Sequence, residues 1–316
     1  MKIRMPKTIA FELSSQCEHE CPYCDRKNWT SDFQRKTPHM DYALFSQLVD
    51  EVSGMIPVPS ITASYEGESV LHPEFVKMLG YFNRKNIRPW ITIRPELNCE
   101  PELNAIIENC SAVSVSIELS DINLGSKYIE HLLELKTLKN SNLEISVNHT
   151  LSSPNKLTSP LGILFIETFI NKVHEIYFWN KIKYGTSITH NNKSGIEEHL
   201  KRRRVCLQPT SFLAILSDGR VSPCCNTSRV VLKTIDASKG INAVLASPEY
   251  IRFLEDHEDI LLKKYICEKC TLWMNEWLGD ETIQISLFNG NKTDAYLEGH
   301  TIRIAGSLPQ VVEGAK

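Results

Sequence analysis

Eight residues near the N-terminus carry the densest chemistry in the chain: Cys17-Glu18-His19-Glu20-Cys21-Pro22-Tyr23-Cys24, three thiols spaced C-x3-C-x2-C. Thiolates are soft ligands, and three on one short loop can each reach a different iron of a cubane cluster. The fourth iron is then left open to a small molecule. A structural zinc ion is the competing reading; it wants a fourth Cys or His, and His19 lies between two of the thiols. A second thiol set lies far along the chain: Cys206, the doublet Cys224-Cys225, and Cys267-Glu268-Lys269-Cys270. Cys206, one Cys of the doublet, Cys267 and Cys270 make a four-thiolate site. A hairpin followed by C-x2-C is a common way to build zinc sites, so these residues alone leave zinc and iron–sulfur both open.

The elements that must position these groups follow from periodicity. Lys7 to Leu13 puts Ile9, Phe11 and Leu13 on one face of a strand that runs straight into the cysteine loop. Asp41 offers a cap to a helix carrying Leu44, Phe45, Leu48, Val49, Val52 and Met55. Strands are predicted at 58–64, 89–94, 112–119, 143–150 and 174–180, alternating with helices at 73–86, 101–109, 125–139 and 161–172. Such alternation calls for a parallel sheet with right-handed crossovers. An open doubly wound sheet and a partial barrel share that pattern. The cysteine loop after the first strand favours the barrel, because ligands gather at the C-terminal ends of parallel strands.

Residues 1–180 are thus read as one domain and 181–205, rich in Gly, Asn, Lys and Ser, as a linker. A small domain at 206–275 carries a hairpin turning at Asp218-Gly219 and a helix starting at Ser247-Pro248. The extension 276–316, with strands expected at 282–288 and 300–305, has no assigned chemistry.

Bulk properties are those of an ordinary globular protein: 316 residues, 42% hydrophobic, 23% charged, net charge −3. That charge provides no general attraction for nucleic acid or anionic membrane. The one dense basic run, Lys201 to Arg204, reads as a solvated face. No apolar run approaches the length of a transmembrane helix, and no signal core follows the N-terminus. A cytoplasmic location is expected, where ten cysteines stay reduced and clustered ones mean metal binding.

With these motifs placed, the chain resembles the radical S-adenosylmethionine (SAM) superfamily. There the C-x3-C-x2-C loop follows the first strand of a partial (β/α)6 barrel, and an aromatic residue, here Tyr23, commonly precedes the third Cys. The resemblance implies a [4Fe–4S] cluster on Cys17, Cys21 and Cys24 whose open iron chelates SAM. One-electron reduction, from a donor such as flavodoxin or ferredoxin, then yields a 5′-deoxyadenosyl radical. Glu66-Gly67-Glu68-Ser69-Val70-Leu71-His72-Pro73-Glu74-Phe75 is similar to the family's GGEPLLHPEF motif, with Glu for the first Gly and Ser for Pro. By that likeness Glu66, Gly67 and Glu68 would bind the methionyl ammonium of SAM. Ser116 and Glu118, in a segment like the family's Ser-x-Asp, Asn148 on the fifth strand and Asn180 on the sixth would contact SAM or substrate. Arg94 stands where family members more often carry Asn, and puts a guanidinium at the barrel mouth.

Cys206, Cys224, Cys267 and Cys270 closely resemble the SPASM/twitch extension, in the shorter form that holds a single auxiliary [4Fe–4S] cluster. The likeness implies two clusters in all. One such cluster is found in radical dehydrogenases of aminocyclitols, of the 2-deoxy-scyllo-inosamine type. The activity implied is oxidation or epimerisation of a carbinol carbon in a small sugar- or aminocyclitol-like natural-product intermediate. Arg94 and Glu118 are candidate substrate-site residues, and Cys225 or Cys99 a candidate hydrogen donor for epimerisation. Radical modification of a ribosomally made peptide is the alternative; the six residues before the first strand leave no room for a leader-binding domain. A non-catalytic zinc-binding protein is the alternative from another class.

Overall fold

The computed structural model describes residues 5–19, 21, 24, 26, 34–95, 100–151, 156–180, 208–224, 231–258, 282–298 and 301–307. Two compact units each combine separate stretches of chain. The first is Met1–Pro89 with Lys183–Trp273, the second Trp90–Ile182 with Met274–Lys316.

In the first unit, strand β1 (Thr8–Phe11) lies between two parallel neighbours, β2 (Ser60–Thr62) and β7 (Phe212–Ile215). An antiparallel β8 (Val221–Ser222) follows β7. A strand covered on both faces must be apolar on both, and Ile9, Ala10 and Phe11 are fully buried. Phe11 meets Phe45 of α1 (Tyr42–Ser53) and Phe82 of α2 (Phe75–Arg84) edge to face, with ring centroids 5.9 and 5.4 Å apart. Ala10 lies in a cluster with Ala214 and Leu216, against which Tyr65, Phe212 and Val231 pack. Burying each large side chain of this kind stabilises the fold by about 1.5–3 kcal/mol.

Asp41 caps α1, its Oδ1 accepting from Leu44 N at 2.9 Å. The hairpin expected at Asp218-Gly219 forms; Gly219 sits at φ 82°, a conformation that favours glycine. The later stretch adds α6 (Gln208–Ser211), α7 (Ile241–Leu245) and α8 (Pro248–Glu258). It is bound to α1 through Glu51, whose carboxylate accepts from Ile241 N (2.7 Å) and Asn242 N (2.8 Å). Those two donors are among the unpaired N–H groups at the start of a helix.

In the second unit β3 (Trp90–Ile93), β4 (Ala112–Ser116), β5 (Glu144–Leu151) and β6 (Glu175–Asn180) run parallel in chain order. They are linked by α3 (Glu100–Asn109), α4 (Ile122–Leu138) and α5 (Pro160–Phe169). The registers keep side-chain parity across the sheet, pairing Ile91 with Val113, Val113 with Ile145 and Val147 with Ile176. These residues, with Ile93, Val115 and Phe178, are all fully buried. Phe165 of α5 covers Phe178 at 5.4 Å between centroids. On the other parity lie Thr92, Ser114, Ser116, Ser146, Asn148 and Tyr177, so one face is apolar and helix-covered while the other is polar.

The C-terminal extension contributes β9 (Thr282–Ser286), β10 (Lys292–Glu298) and β11 (Thr301–Ala305). β11 pairs antiparallel with β6, β10 with β11, and β9 with β10. The middle strand of this set had no counterpart in the sequence reading. No helix among the described residues is long and apolar enough to cross a membrane.

Candidate functional site

Beyond β1 the chain makes a neck before it opens into the cysteine loop. Ser15 N donates to Pro38 O (2.8 Å), Met40 N to Leu13 O (2.9 Å), and Ser14 forms an antiparallel bridge with His39. The loop therefore leaves and re-enters through one short two-stranded closure. Cys17, Cys21 and Cys24 are half-buried and joined in no disulfide, with Cys24 N donating to Cys21 O at 3.1 Å.

The Glu66-Gly67-Glu68 loop, which follows β2, lies directly on that neck. A Cβ built on Gly67 would sit 2.4 Å from Ser14 O and 2.6 Å from Ser15 Cα, so only glycine allows this approach. Glu68 N donates to Gln16 O at 2.7 Å. His72 pins the rest of the motif: its Nε2 donates to Met40 O at 2.9 Å and its Nδ1 accepts from Glu74 N at 2.9 Å. Burial pushes the Cys17 thiol up; a backbone hydrogen bond at His19 and the charge of Arg26 oppose this, and the Glu68 carboxylate adds to it.

Three thiols at the C-terminal end of a parallel strand, with a glycine-mediated backbone contact bringing a carboxylate beside them, fit a cubane cluster and the amino group of SAM. Among the described residues no three Cys, His, Asp or Glu side chains gather round one point as ligands of a single ion. A cubane offers a separate iron to each thiol and makes no such demand. Gly67→Ala is expected to destabilise the protein by about 1–3 kcal/mol through overpacking and to lower its iron content. Thermal unfolding and iron analysis test this; wild-type values for both would show that the loop moves freely off Ser14.

Cys224 is half-buried just past β8. The phenol of Tyr65, the residue before Glu66, donates to Cys224 O at 2.8 Å, and its ring stacks on Phe212. The two sequence motifs thus meet through one side chain that sequence reasoning passed over. Cys99, Cys206, Cys225, Cys267, Cys270 and Tyr23 lie outside the described residues.

The second unit carries the other predicted polar residues at the C-terminal ends of its parallel strands. Arg94, which follows β3, is buried and donates from Nη1 to Glu118 Oε1 at 3.4 Å. Burial raises the Glu118 carboxyl, with the charge of Asp121 adding, and together they push it up to about 7. The Arg94 guanidinium at 3.4 Å acts the other way, favouring the carboxylate form. His149 Nδ1 stands 3.6 Å from Glu118 Oε2 and 3.0 Å from Ile117 O. A carbonyl only accepts, so Nδ1 carries the proton. Burial lowers the imidazole against that bond, with Lys156 and Arg94 contributing, and keeps it neutral.

Asn148 Nδ2 donates to Ser114 Oγ at 2.8 Å, and Ser116 is the register partner of Asn148 on the polar face. Asn180 ends β6 opposite Leu151; its side chain lies outside the described residues. His149 was missed in the sequence because it shares parity with Val147 and Leu151 and reads as part of the apolar face.

The comparisons with known proteins agree with this geometry. Residues 206–271 match the SPASM family, an iron–sulfur cluster-binding domain. The fold superposes on BtrN in complex with AdoMet and 2-DOIA with a TM-score of 0.56 at 17% identity, covering 84% of this chain and 93% of that one. Streptococcus suis SuiB bound to its precursor peptide SuiA gives 0.57 at 12% identity, over 84% and 70% of the two chains. AnSMEcpe with bound AdoMet gives 0.51 at 14% identity, over 87% and 91%. No curated protein sequence matches the chain. The chain therefore has the fold of radical SAM enzymes that carry a SPASM-type auxiliary-cluster domain.

Proposed function

We propose that the protein is a radical SAM enzyme that oxidises a carbinol carbon of a small polyhydroxylated or amino-substituted ring. Cys17, Cys21 and Cys24 would hold the SAM-binding cluster, with Gly67 and Glu68 beside the methionyl group, and Cys206, Cys224, Cys267 and Cys270 the auxiliary one. When bound, these groups supply one electron to SAM, a 5′-deoxyadenosyl radical that takes a hydrogen atom from substrate, and a sink for the electron left behind.

The chain's own residues supply the rest. Turning a carbinol into a carbonyl after hydrogen-atom loss requires removal of one proton and one electron. The observation that carries the reading is Glu118, a half-buried carboxyl raised to about 7 beside the Arg94 guanidinium. A base with that affinity suits proton removal near neutral pH. Arg94 is suited to orient an oxygen-bearing substrate. Ser114, Ser116 and Asn148 provide a polar face that can meet several hydroxyl groups.

Modification of a peptide is the second reading, favoured by the likeness to SuiB bound to its precursor peptide. Reduced enzyme incubated with SAM and either carbinol-deuterated aminocyclitols and sugars or candidate peptides separates the two. Deuterium appearing in 5′-deoxyadenosine, with a ring product lighter by two hydrogens, is the expected result. Coupling of deoxyadenosine to a change in peptide mass alone would overturn the small-molecule reading.

A further inference from the structure

The turn of the β7–β8 hairpin grips the leg on which the cysteine loop comes back. Arg220 Nη2 donates to Gln34 O at 2.6 Å, and Asp218 Oδ2 accepts from Lys36 N at 2.9 Å. Arg220 Nε holds that same Asp218 oxygen at 2.8 Å. Ser217 and Thr37 exchange two bonds, Ser217 Oγ to Thr37 O at 2.8 Å and Thr37 Oγ1 to Ser217 O at 3.2 Å. The next residue, Pro38, already belongs to the neck.

Arg35 runs inward from this leg and forks onto Glu12, Nε to Oε2 at 2.6 Å and Nη2 to Oε1 at 3.0 Å. Glu12 Oε2 also accepts from Ser217 N at 3.0 Å. Both side chains are sealed from solvent, at 1% and 0% exposure. A buried ion pair is a poor source of net stability compared with apolar packing. A bidentate fork does fix direction, since both of its bonds must be satisfied together. Glu12 stands on the outgoing leg before Cys17 and Arg35 on the returning leg after Cys24, and Ser217 N ties the pair to the hairpin. Both ends of the loop are thereby registered against a turn some two hundred residues away in the chain.

We propose that Glu12, Arg35 and Asp218 are positioning residues for the Cys17-Cys21-Cys24 loop, so that the hairpin of the SPASM-matching segment sets the geometry in which the loop holds a cluster. The inference rests on the cluster reading above. The test compares wild type with Asp218→Asn and Arg35→Lys, in a Cys267→Ala, Cys270→Ala background so that a single cluster is observed. Circular dichroism checks folding. The iron-free proteins are alkylated with iodoacetamide and labelling of Cys17, Cys21 and Cys24 is timed by mass spectrometry. The reconstituted proteins are examined by electron paramagnetic resonance with and without SAM, and SAM affinity is measured by equilibrium dialysis.

The folded variants are expected to label about tenfold faster and to bind SAM about tenfold more weakly, the scale on which outer ligand supports act. The spectral change caused by SAM should shrink with the loss of affinity. Folded variants with wild-type labelling, spectra and affinity would overturn the proposal. If Arg35→Lys does not fold, Asp218→Asn decides alone. If wild type takes up no iron on the Cys17 loop, the cluster reading fails, and unchanged labelling would still be needed to sink the positioning role.

Discussion

Replacing Cys17, Cys21 and Cys24 together by alanine is expected to reduce reconstituted iron from about eight to about four per chain and to abolish 5′-deoxyadenosine formation. The loop has no other thiol to take over, and the Glu66-Gly67-Glu68 turn meets it through backbone, Glu68 N donating to Gln16 O. The remaining four irons would belong to Cys206, Cys224, Cys267 and Cys270. Because the loop is closed at its neck by Leu13, Ser15, Pro38 and Met40, the variant should keep its fold. Thermal unfolding measured on the iron-free proteins separates lost ligands from lost structure. About four irons in wild type and none in the variant would make the second site a zinc site, and the proposed electron sink would fall. No iron in wild type would end the radical reading altogether.

The part of this arrangement legible in the sequence is the part that strand and helix periods dictate. Ile9, Phe11 and Leu13 announced a buried strand leading into the thiols, and six strands alternating with helices announced the parallel sheet. The Glu66-Gly67-Glu68 motif could be placed after the second strand, and its glycine fits only because backbone meets backbone there. Contacts between distant segments were hidden. Parallel pairing of β7 with β1 joins residues about two hundred positions apart, and no local pattern encodes it.

Glu12, an acid between Phe11 and Leu13, was passed over in the sequence reading. Its partner Arg35 sits in a stretch with no period of its own. Tyr65 read as one more aromatic before the motif, yet it carries the hydrogen bond to Cys224 O. The middle strand of the C-terminal extension, Lys292–Glu298, was passed over because Lys, Asp and Glu interrupt its apolar residues, and pairing on both edges forms it regardless.

Glu118→Gln is expected to lower product formation by about a hundred- to ten-thousandfold, the range for loss of a positioned base. Cleavage of SAM should continue, because in the proposed reaction the substrate proton is removed only after the hydrogen atom has been taken. Deoxyadenosine would then outrun product, and that uncoupling distinguishes a base from a residue needed for cofactor binding. The pH dependence sharpens the test. In the folded protein the carboxyl is raised to about 7, so wild-type turnover should rise through that value as the base form appears, and the variant should lack that limb.

Stability should move the opposite way. A folded state that holds its proton more tightly than the unfolded chain is favoured at low pH. Wild type should lose stability as pH climbs from the ordinary carboxylate range toward 7, and Glu118→Gln should flatten that slope. A variant with wild-type turnover and an unchanged pH profile would remove Glu118 from the chemistry. It would leave Arg94 and His149 as supports of a strand end rather than of a proton acceptor.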